Sequence, residues 1–183
     1  RRVVRKDSAE LAWSETPFPA VTAVASFPGA TLDEVLSTQR VHIVGYDPFR
    51  QDSITMAGRE IPLAASFTSG YGLWLARSGF ASQSLLTLVG KGEVLEKPHV
   101  YLMQPYDPNR RIIIMLHGLA SSPEAWINVA NEVLGDEALR QNYQIWQVYY
   151  PTNAPLAFNN KAIRTALEQT LEQPQNQICT AGR

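Results

Sequence analysis

The segment of this chain with the clearest chemical potential is the tripeptide His117-Gly118-Leu119. It directly follows Ile112–Leu116, a run of apolar residues that predicts a buried strand. A turn after such a strand leaves backbone N–H groups free at the carboxyl edge of the sheet, where open α/β sheets bind ligands. In acyl transfer, an N–H at that position can stabilise the oxyanion of a tetrahedral intermediate. The alternative is a glycine turn between any strand and any helix, and the tripeptide alone favours that structural role.

Other reactive side chains have simpler explanations. Ser121 and Ser122 adjoin the turn, and the spacing from Ser121 to Glu124 predicts a helix cap and not a nucleophile. Cys179 is the single cysteine, and no histidine follows it to form a Cys–His pair. The three histidines are scattered without metal-ligand spacing: His42, His99 and His117. We therefore expect neither a metal nor a cofactor.

Composition and motifs exclude several classes of protein. The chain of 183 residues has a net charge of −1, which argues against a nucleic-acid binder, because such a protein needs a basic face. Gly90-Lys91-Gly92 begins like a dinucleotide-binding motif, but Leu95 replaces the third glycine and Pro98 prevents the helix that should follow. No uncharged stretch is apolar enough to predict a membrane span. Because the chain does not begin with Met, a removed signal peptide is compatible with it.

The first 104 residues are expected to form a β-rich region. The predicted strands are 21–27, 41–46, 53–56, 84–89 and 100–104, and the predicted short helices are 31–39 and 68–77. No internal repeat is found. We place a domain boundary at Pro105–Asn109, which divides the chain into residues 1–104 and 105–183. The strand 100–104 can also belong to the sheet of the second region.

The second region predicts the order strand, helix, strand, helix. Ile112–Leu116 is apolar at every position, which is typical of a strand buried on both faces, and the next strand is Gln144–Tyr150. Apolar stripes of helical period predict helices at Pro123–Leu134 and Asn160–Leu171, and Pro174 is expected to end the second. This alternation is typical of a right-handed, mostly parallel α/β sheet.

Three segments of this region resemble one family. They are QPYDP before the strand, IIIMLHGLASSPEAW across the turn and YQIWQVYYPTNAPL after the first helix. They lie within Tyr101–Leu171, a stretch that resembles the lipase- and esterase-like bacterial branch of the α/β-hydrolase superfamily. The resemblance implies an exported or envelope-associated protein. GYDPF and AGREIPLAASF resemble the β-rich region that precedes the hydrolase domain in that branch. The implied fold is the N-terminal part of an α/β-hydrolase sheet preceded by a β-rich segment.

The resemblance implies that His117-Gly118-Leu119 is the oxyanion-hole turn and that the N–H of Leu119 is the donor. In the superfamily, the nucleophilic serine lies in G-x-S-x-G after the next strand, and the acid and the histidine follow it. No G-x-S-x-G occurs in this chain, so the whole catalytic triad is absent. We expect the chain to be the N-terminal part of an ester hydrolase, inactive alone, whose full-length parent acts on an ester or lipid-like small molecule. His117 is then a turn-shaping side chain, because the triad histidine comes after the nucleophile.

Two further expectations follow from the missing strand and from the β-rich region. Without a nucleophile-bearing strand, Ile112–Leu116 would have an unpaired edge, so the chain alone is expected to associate. The alternative function is a non-catalytic module whose β-rich part binds a partner or the cell envelope. Trp146, Tyr149 and Tyr150 could line an acyl pocket, although aromatic residues of a central strand usually belong to the core.

Overall fold

The chain has mixed α/β structure. The computed structural model describes residues 12–80, 97–119 and 121–180, the last eight of these by backbone alone. In chain order, the elements are β1 (Trp13–Glu15), β2 (Thr22–Ser26), α1 (Leu32–Ser37), β3 (His42–Tyr46), β4 (Ser53–Met56), β5 (Arg59–Pro62), α2 (Ser69–Ser78), β6 (His99–Leu102), β7 (Arg111–Leu116), a 3₁₀ turn (Pro123–Trp126), α3 (Ile127–Gly135), α4 (Glu137–Asn142), β8 (Tyr143–Tyr149) and α5 (Leu156–Thr180).

The main sheet has four strands within the described residues, in the order β1-β6-β8-β7. The predicted parallel pairing of β7 with β8 is confirmed, with Ile114 opposite Trp146. β1 and β6 are also parallel, whereas β6 and β8 are antiparallel, so the sheet is mixed. The sheet takes two strands from each side of Pro105–Asn109. The strand near residue 100 therefore belongs to the same sheet as β7 and β8.

β7 is an edge strand of this sheet as far as the described residues go, and the prediction that it is buried on both faces is wrong. Ile114 is 44% exposed and Leu116 41% exposed, whereas Met115 is buried. By contrast, six of the seven residues of β8 are buried, because β8 has a partner strand on each side. An apolar run shows that a strand can be buried without cost. Whether it is buried depends on the strands and helices that pack against it.

The helix predicted after the turn is present, but its first turn differs from the prediction. Pro123–Trp126 is a 3₁₀ turn that continues directly into α3. The N-cap is Ser122 and not Ser121, and the Ser122 side chain makes no capping hydrogen bond. Pro123 occupies the first turn as predicted, where its missing N–H has no cost.

The last helix is longer than predicted. It begins at Leu156 and continues past Pro174 to Thr180, so the expected stop at Pro174 is wrong. A proline removes one N–H···O bond and displaces a carbonyl, which bends a long helix without always ending it. Cys179 lies in the last turn of this helix. Among the described residues, no helix is both long and apolar enough to cross a membrane.

The two faces of β8 carry two separate parts of the core. Ile145 and Tyr149 pack with residues of α2 and α3, such as Trp74 and Leu134. Trp146 and Val148 point to the other face and pack with a second set of buried residues: Trp13, Val100, Leu102 and Ala166 of α5. This alternation follows from the two-residue period of a strand. The sheet is therefore covered on both faces around β8.

The β-rich region contributes two small antiparallel sheets, β2–β3 and β4–β5. The predicted turn at Ala57-Gly58 joins the second pair, and both of its residues have positive φ angles. The predicted helix 68–77 is α2, and Gly79 ends it in the left-handed conformation, with φ of 71°. The predicted strand 84–89 and the turn Gly90-Lys91-Gly92 lie outside the described residues.

Candidate functional site

The His117-Gly118-Leu119 turn lies where the sequence places it, at the carboxyl edge of a parallel strand pair. Leu116 is opposite Val148 in the register, so the residues that follow β7 meet those that end β8. His117 is the buried member of the tripeptide, with 3% of its surface exposed. The turn is thus anchored by one side chain that points into the protein.

His117 is held as one neutral tautomer. Its Nε2 accepts a hydrogen bond from the backbone N–H of Tyr150 at 3.3 Å, and its Nδ1 lies 3.2 Å from the carbonyl oxygen of Gly118. A backbone N–H can only donate, so Nε2 is unprotonated and Nδ1 carries the proton. Burial lowers the pKa of His117, although the Gly118 carbonyl and the charge of Glu124 act in the opposite direction. Both ring nitrogens are engaged, which gives His117 a turn-shaping role and not that of a general base.

Tyr150 contacts His117 in three ways. Besides the backbone bond, its hydroxyl donates to the carbonyl oxygen of His117, and the two rings are stacked with centroids 4.5 Å apart. Trp146 and Tyr149, the other aromatic residues of this segment, are buried in the core. The sequence analysis missed this role of Tyr150. The signal that could have found it is the position of Tyr150 directly after β8, because the parallel strands β7 and β8 end at the same edge of the sheet.

Gly118 and Leu119 form the open side of the turn. A Cβ added to Gly118 would meet no atom within 4 Å, and its φ is not in the left-handed region. The turn therefore does not require a glycine for its conformation, and the missing side chain leaves space in front of the backbone. Leu119 is 78% exposed, and its N–H makes no hydrogen bond within the described part of the chain. The N–H of Leu119 can therefore donate a hydrogen bond to an oxygen atom of a bound molecule.

The 3₁₀ turn supports this edge from the side of the helix. Gln147, fully buried in β8, donates its Nε2 to the carbonyl oxygen of Pro123 at 2.7 Å. Glu124 is half-buried, and its charge contributes to raising the pKa of Tyr71, after the larger effect of burial. Glu124 therefore lies within electrostatic reach of both Tyr71 of α2 and His117.

The other candidate residues of the sequence do not join the turn as reactive groups. His42 is exposed on β3, and His99 of β6 lies with its Nε2 3.0 Å from Ser14 Oγ. Ser122 is buried at the N-cap, and both ring nitrogens of His117 already lie against other partners, Gly118 and Tyr150. Across residues 12–80, 97–119 and 121–180, no group of three His, Cys, Asp or Glu side chains could hold a metal ion.

No family model matches this chain, and no curated protein or solved structure matches it either. The family suggested by the sequence motifs therefore stays a prediction.

Proposed function

We propose that this chain is the N-terminal part of a serine hydrolase that acts on carboxylic esters, an esterase or lipase-like enzyme, and that it supplies the oxyanion-hole turn. One observation carries the proposal. The unbonded N–H of Leu119 lies at the carboxyl edge of a parallel strand pair, next to a histidine that is fixed by Tyr150. The sequence motifs around the turn support the same function.

In this proposal, the chain contributes electrostatic stabilisation and no covalent chemistry. A serine from the full-length parent, activated by a His–acid pair, attacks the ester carbonyl, and water then hydrolyses the acyl-enzyme. Both steps pass through a tetrahedral oxyanion, to which the N–H of Leu119 donates a hydrogen bond. A preformed donor of this kind needs no reorganisation during the reaction. It stabilises an intermediate that only a nucleophile can form, so this chain alone is expected to be inactive.

The open edge of β7 has room for a further strand, which this proposal assigns to the full-length parent. Ile114 and Leu116 are more than 40% exposed, and one hydrogen-bonding side of β7 has no partner strand within the described residues. A parallel strand added there would end at the same edge as β7. The turn after that strand, where the nucleophile lies in α/β hydrolases, would then approach the N–H of Leu119.

The test begins with the reading frame downstream of codon 183. An open frame that encodes a further strand and G-x-S-x-G within some tens of codons supports the proposal, whereas an authentic stop codon contradicts it. In the expressed parent, Leu119→Pro deletes the donor, and turnover of a short-chain activated ester should fall about 10²–10³-fold. Leu119→Ala is the matched control, because it removes the exposed side chain but keeps the N–H. Wild-type turnover in a folded Leu119→Pro parent would exclude this turn as the oxyanion hole.

A second candidate function is a non-catalytic module that binds the cell envelope, and one observation favours it. Apolar side chains of the β-rich region are exposed on α1 and on the β2–β3 pair: Leu32, Leu36, Ile43 and Val44, all between 47% and 74% exposed. Flotation with phospholipid vesicles tests this function directly. Binding by the wild-type chain that is lost in Leu36→Glu would support it, and no flotation of the wild-type chain would refute it.

A further inference from the structure

Two turns of this chain have the same five-residue pattern, Tyr-Asp-Pro-x-Arg. The similarity between the two segments does not extend beyond these five residues. They are Tyr46–Arg50, at the end of β3, and Tyr106–Arg110, just before β7. In each turn, one Asp oxygen accepts the backbone N–H two residues later at 2.9 Å. In each turn, the other oxygen lies 3.4 Å from the Nε of the arginine. The same residues therefore build the same local structure twice.

Both turns line one cavity of about 430 Å³. Arg110 joins them, because its Nη2 donates to the carbonyl oxygen of Phe49 at 2.6 Å. Apolar walls come from Phe49, Pro105, Tyr106 and Pro108. A volume of this size lies in the range of small-molecule sites, which are largely apolar with a few fixed polar groups.

The hydrogen-bonding capacity that remains in this cavity is mainly that of donors. Each carboxylate oxygen of Asp47 and Asp107 already has a partner within its own turn. In the described part of the chain, no hydrogen bond or ion pair uses the Nη atoms of Arg50, the Nη1 of Arg110 or the hydroxyl of Tyr106. The side chain of Arg50 is 74% exposed, whereas that of Arg110 is 10% exposed and is held by Asp107 and the carbonyl of Phe49. The cavity thus presents one exposed and one largely buried guanidinium beside apolar side chains.

We propose that this cavity binds a small organic carboxylate with a flat apolar body. The planar fork of a guanidinium matches a carboxylate in a bidentate manner, which favours this anion over a spherical one. Phe49, Tyr106 and the prolines provide faces for a flat body. The two aspartates are each balanced by their own arginine, so recognition comes from oriented donors and not from net charge.

This site is separate from the His117 turn. The cavity lies at the amino end of β7, where Arg110 precedes the strand, and the turn lies at its carboxyl end. Six strand residues at about 3.3 Å each put the two roughly 20 Å apart. The proposed carboxylate site therefore does not depend on the proposed hydrolase function. Evidence against either proposal would not affect the other.

The experiment is a titration of the 183-residue chain with benzoate, followed by calorimetry and by the NMR signals of the arginine Nε–H groups. We expect saturable binding with a Kd of roughly 0.1–1 mM, and much weaker binding of neutral benzamide. Arg50→Gln should weaken benzoate binding about tenfold, which corresponds to the loss of a charge-assisted hydrogen bond. Arg164→Gln is the matched control, because Arg164 is also an exposed arginine in an ion pair, with Glu168 at 3.8 Å, but lies on α5.

Four results would overturn the proposal. The first is no saturable benzoate binding at roughly tenfold above the expected Kd. The second is equal affinity for benzamide, which would show that the carboxylate is not recognised. The third is equal affinity for inorganic phosphate, which would show that the flat body contributes nothing. The fourth is an Arg50→Gln chain that binds benzoate as tightly as the Arg164→Gln control does.

Discussion

Tyr150→Phe tests how the candidate oxyanion turn is held. The substitution keeps the ring that stacks on His117 at 4.5 Å and keeps the backbone N–H that donates to Nε2. It removes only the hydroxyl, whose partner is the carbonyl oxygen of His117. His117 is 3% exposed, so water has little access to the residue whose carbonyl loses its donor. Loss of one partner from a buried pair costs about 1–3 kcal/mol. Because Tyr150 itself is half-buried, we expect a loss of about 1–2 kcal/mol in the free energy of unfolding.

Urea unfolding followed by tryptophan fluorescence measures this loss, because Trp74 and Trp146 are buried on opposite sides of the sheet. For a chain of this length, the expected loss corresponds to a decrease in Tm of roughly 2–8 °C. The local effect is measured by the amide signals of Gly118 and Leu119. Their chemical shifts should change, and their hydrogen exchange should become faster, because the carbonyl before them is no longer fixed. All variants are compared at one protein concentration, since association would add to apparent stability.

Tyr143→Phe is the matched control. Tyr143 is also a half-buried tyrosine of the β8 segment, and its hydroxyl makes no hydrogen bond within the described residues. We expect this control to stay within about 0.5 kcal/mol of the wild-type chain. If Tyr150→Phe loses no more stability than Tyr143→Phe, and if the amide signals of Gly118 and Leu119 do not move, then Tyr150 does not hold the turn.

Three further predictions concern the edge strand, the buried histidine and catalysis. The chain alone should elute as oligomers in size-exclusion chromatography, and Ile114→Lys on the exposed face of β7 should shift it toward the monomer; a wild-type monomer that melts cooperatively would contradict this. Because burial lowers the pKa of His117 below its ordinary value of about 6.5, the neutral form stabilises the fold above that pH, and stability should be lost as the pH falls through the lowered value. The free energy of unfolding, measured with urea at several pH values, should fall less at acid pH in His117→Gln than in the wild-type chain. The control His42→Gln, on exposed β3, should show the same fall as the wild-type chain. If the two variants show the same pH dependence, groups other than His117 cause the loss. The 183-residue chain should hydrolyse a short-chain activated ester no faster than buffer; activity that survives mutation of Ser121 and Ser122 but disappears in Cys179→Ala would identify that cysteine as a nucleophile.

The local pattern of the sequence was sufficient for most elements near the site. The apolar run before His117 and the helical stripe from Trp126 to Leu134 predicted β7, α3 and the turn between them, and a parallel β8 followed from the crossover connection. These features depend on residues that are close in the chain, so backbone geometry and side-chain period determine them. The position of the turn at the carboxyl edge of the sheet follows from the same connection.

Contacts between distant residues were decided only by the tertiary structure. The apolar run of β7 predicted burial, but Ile114 and Leu116 are exposed because no described strand covers that edge, and no local pattern contains this information. The hydrogen bonds between Tyr150 and His117 join residues 33 positions apart, and the register of β7 and β8 brings these residues together. The two Tyr-Asp-Pro-x-Arg patterns can be found in the sequence. Only the folded chain brings these turns, which are 60 positions apart, around one cavity, where Arg110 donates to the carbonyl oxygen of Phe49. A sequence specifies each turn through local hydrogen bonds, whereas the distance between two turns depends on how the whole sheet and its core pack.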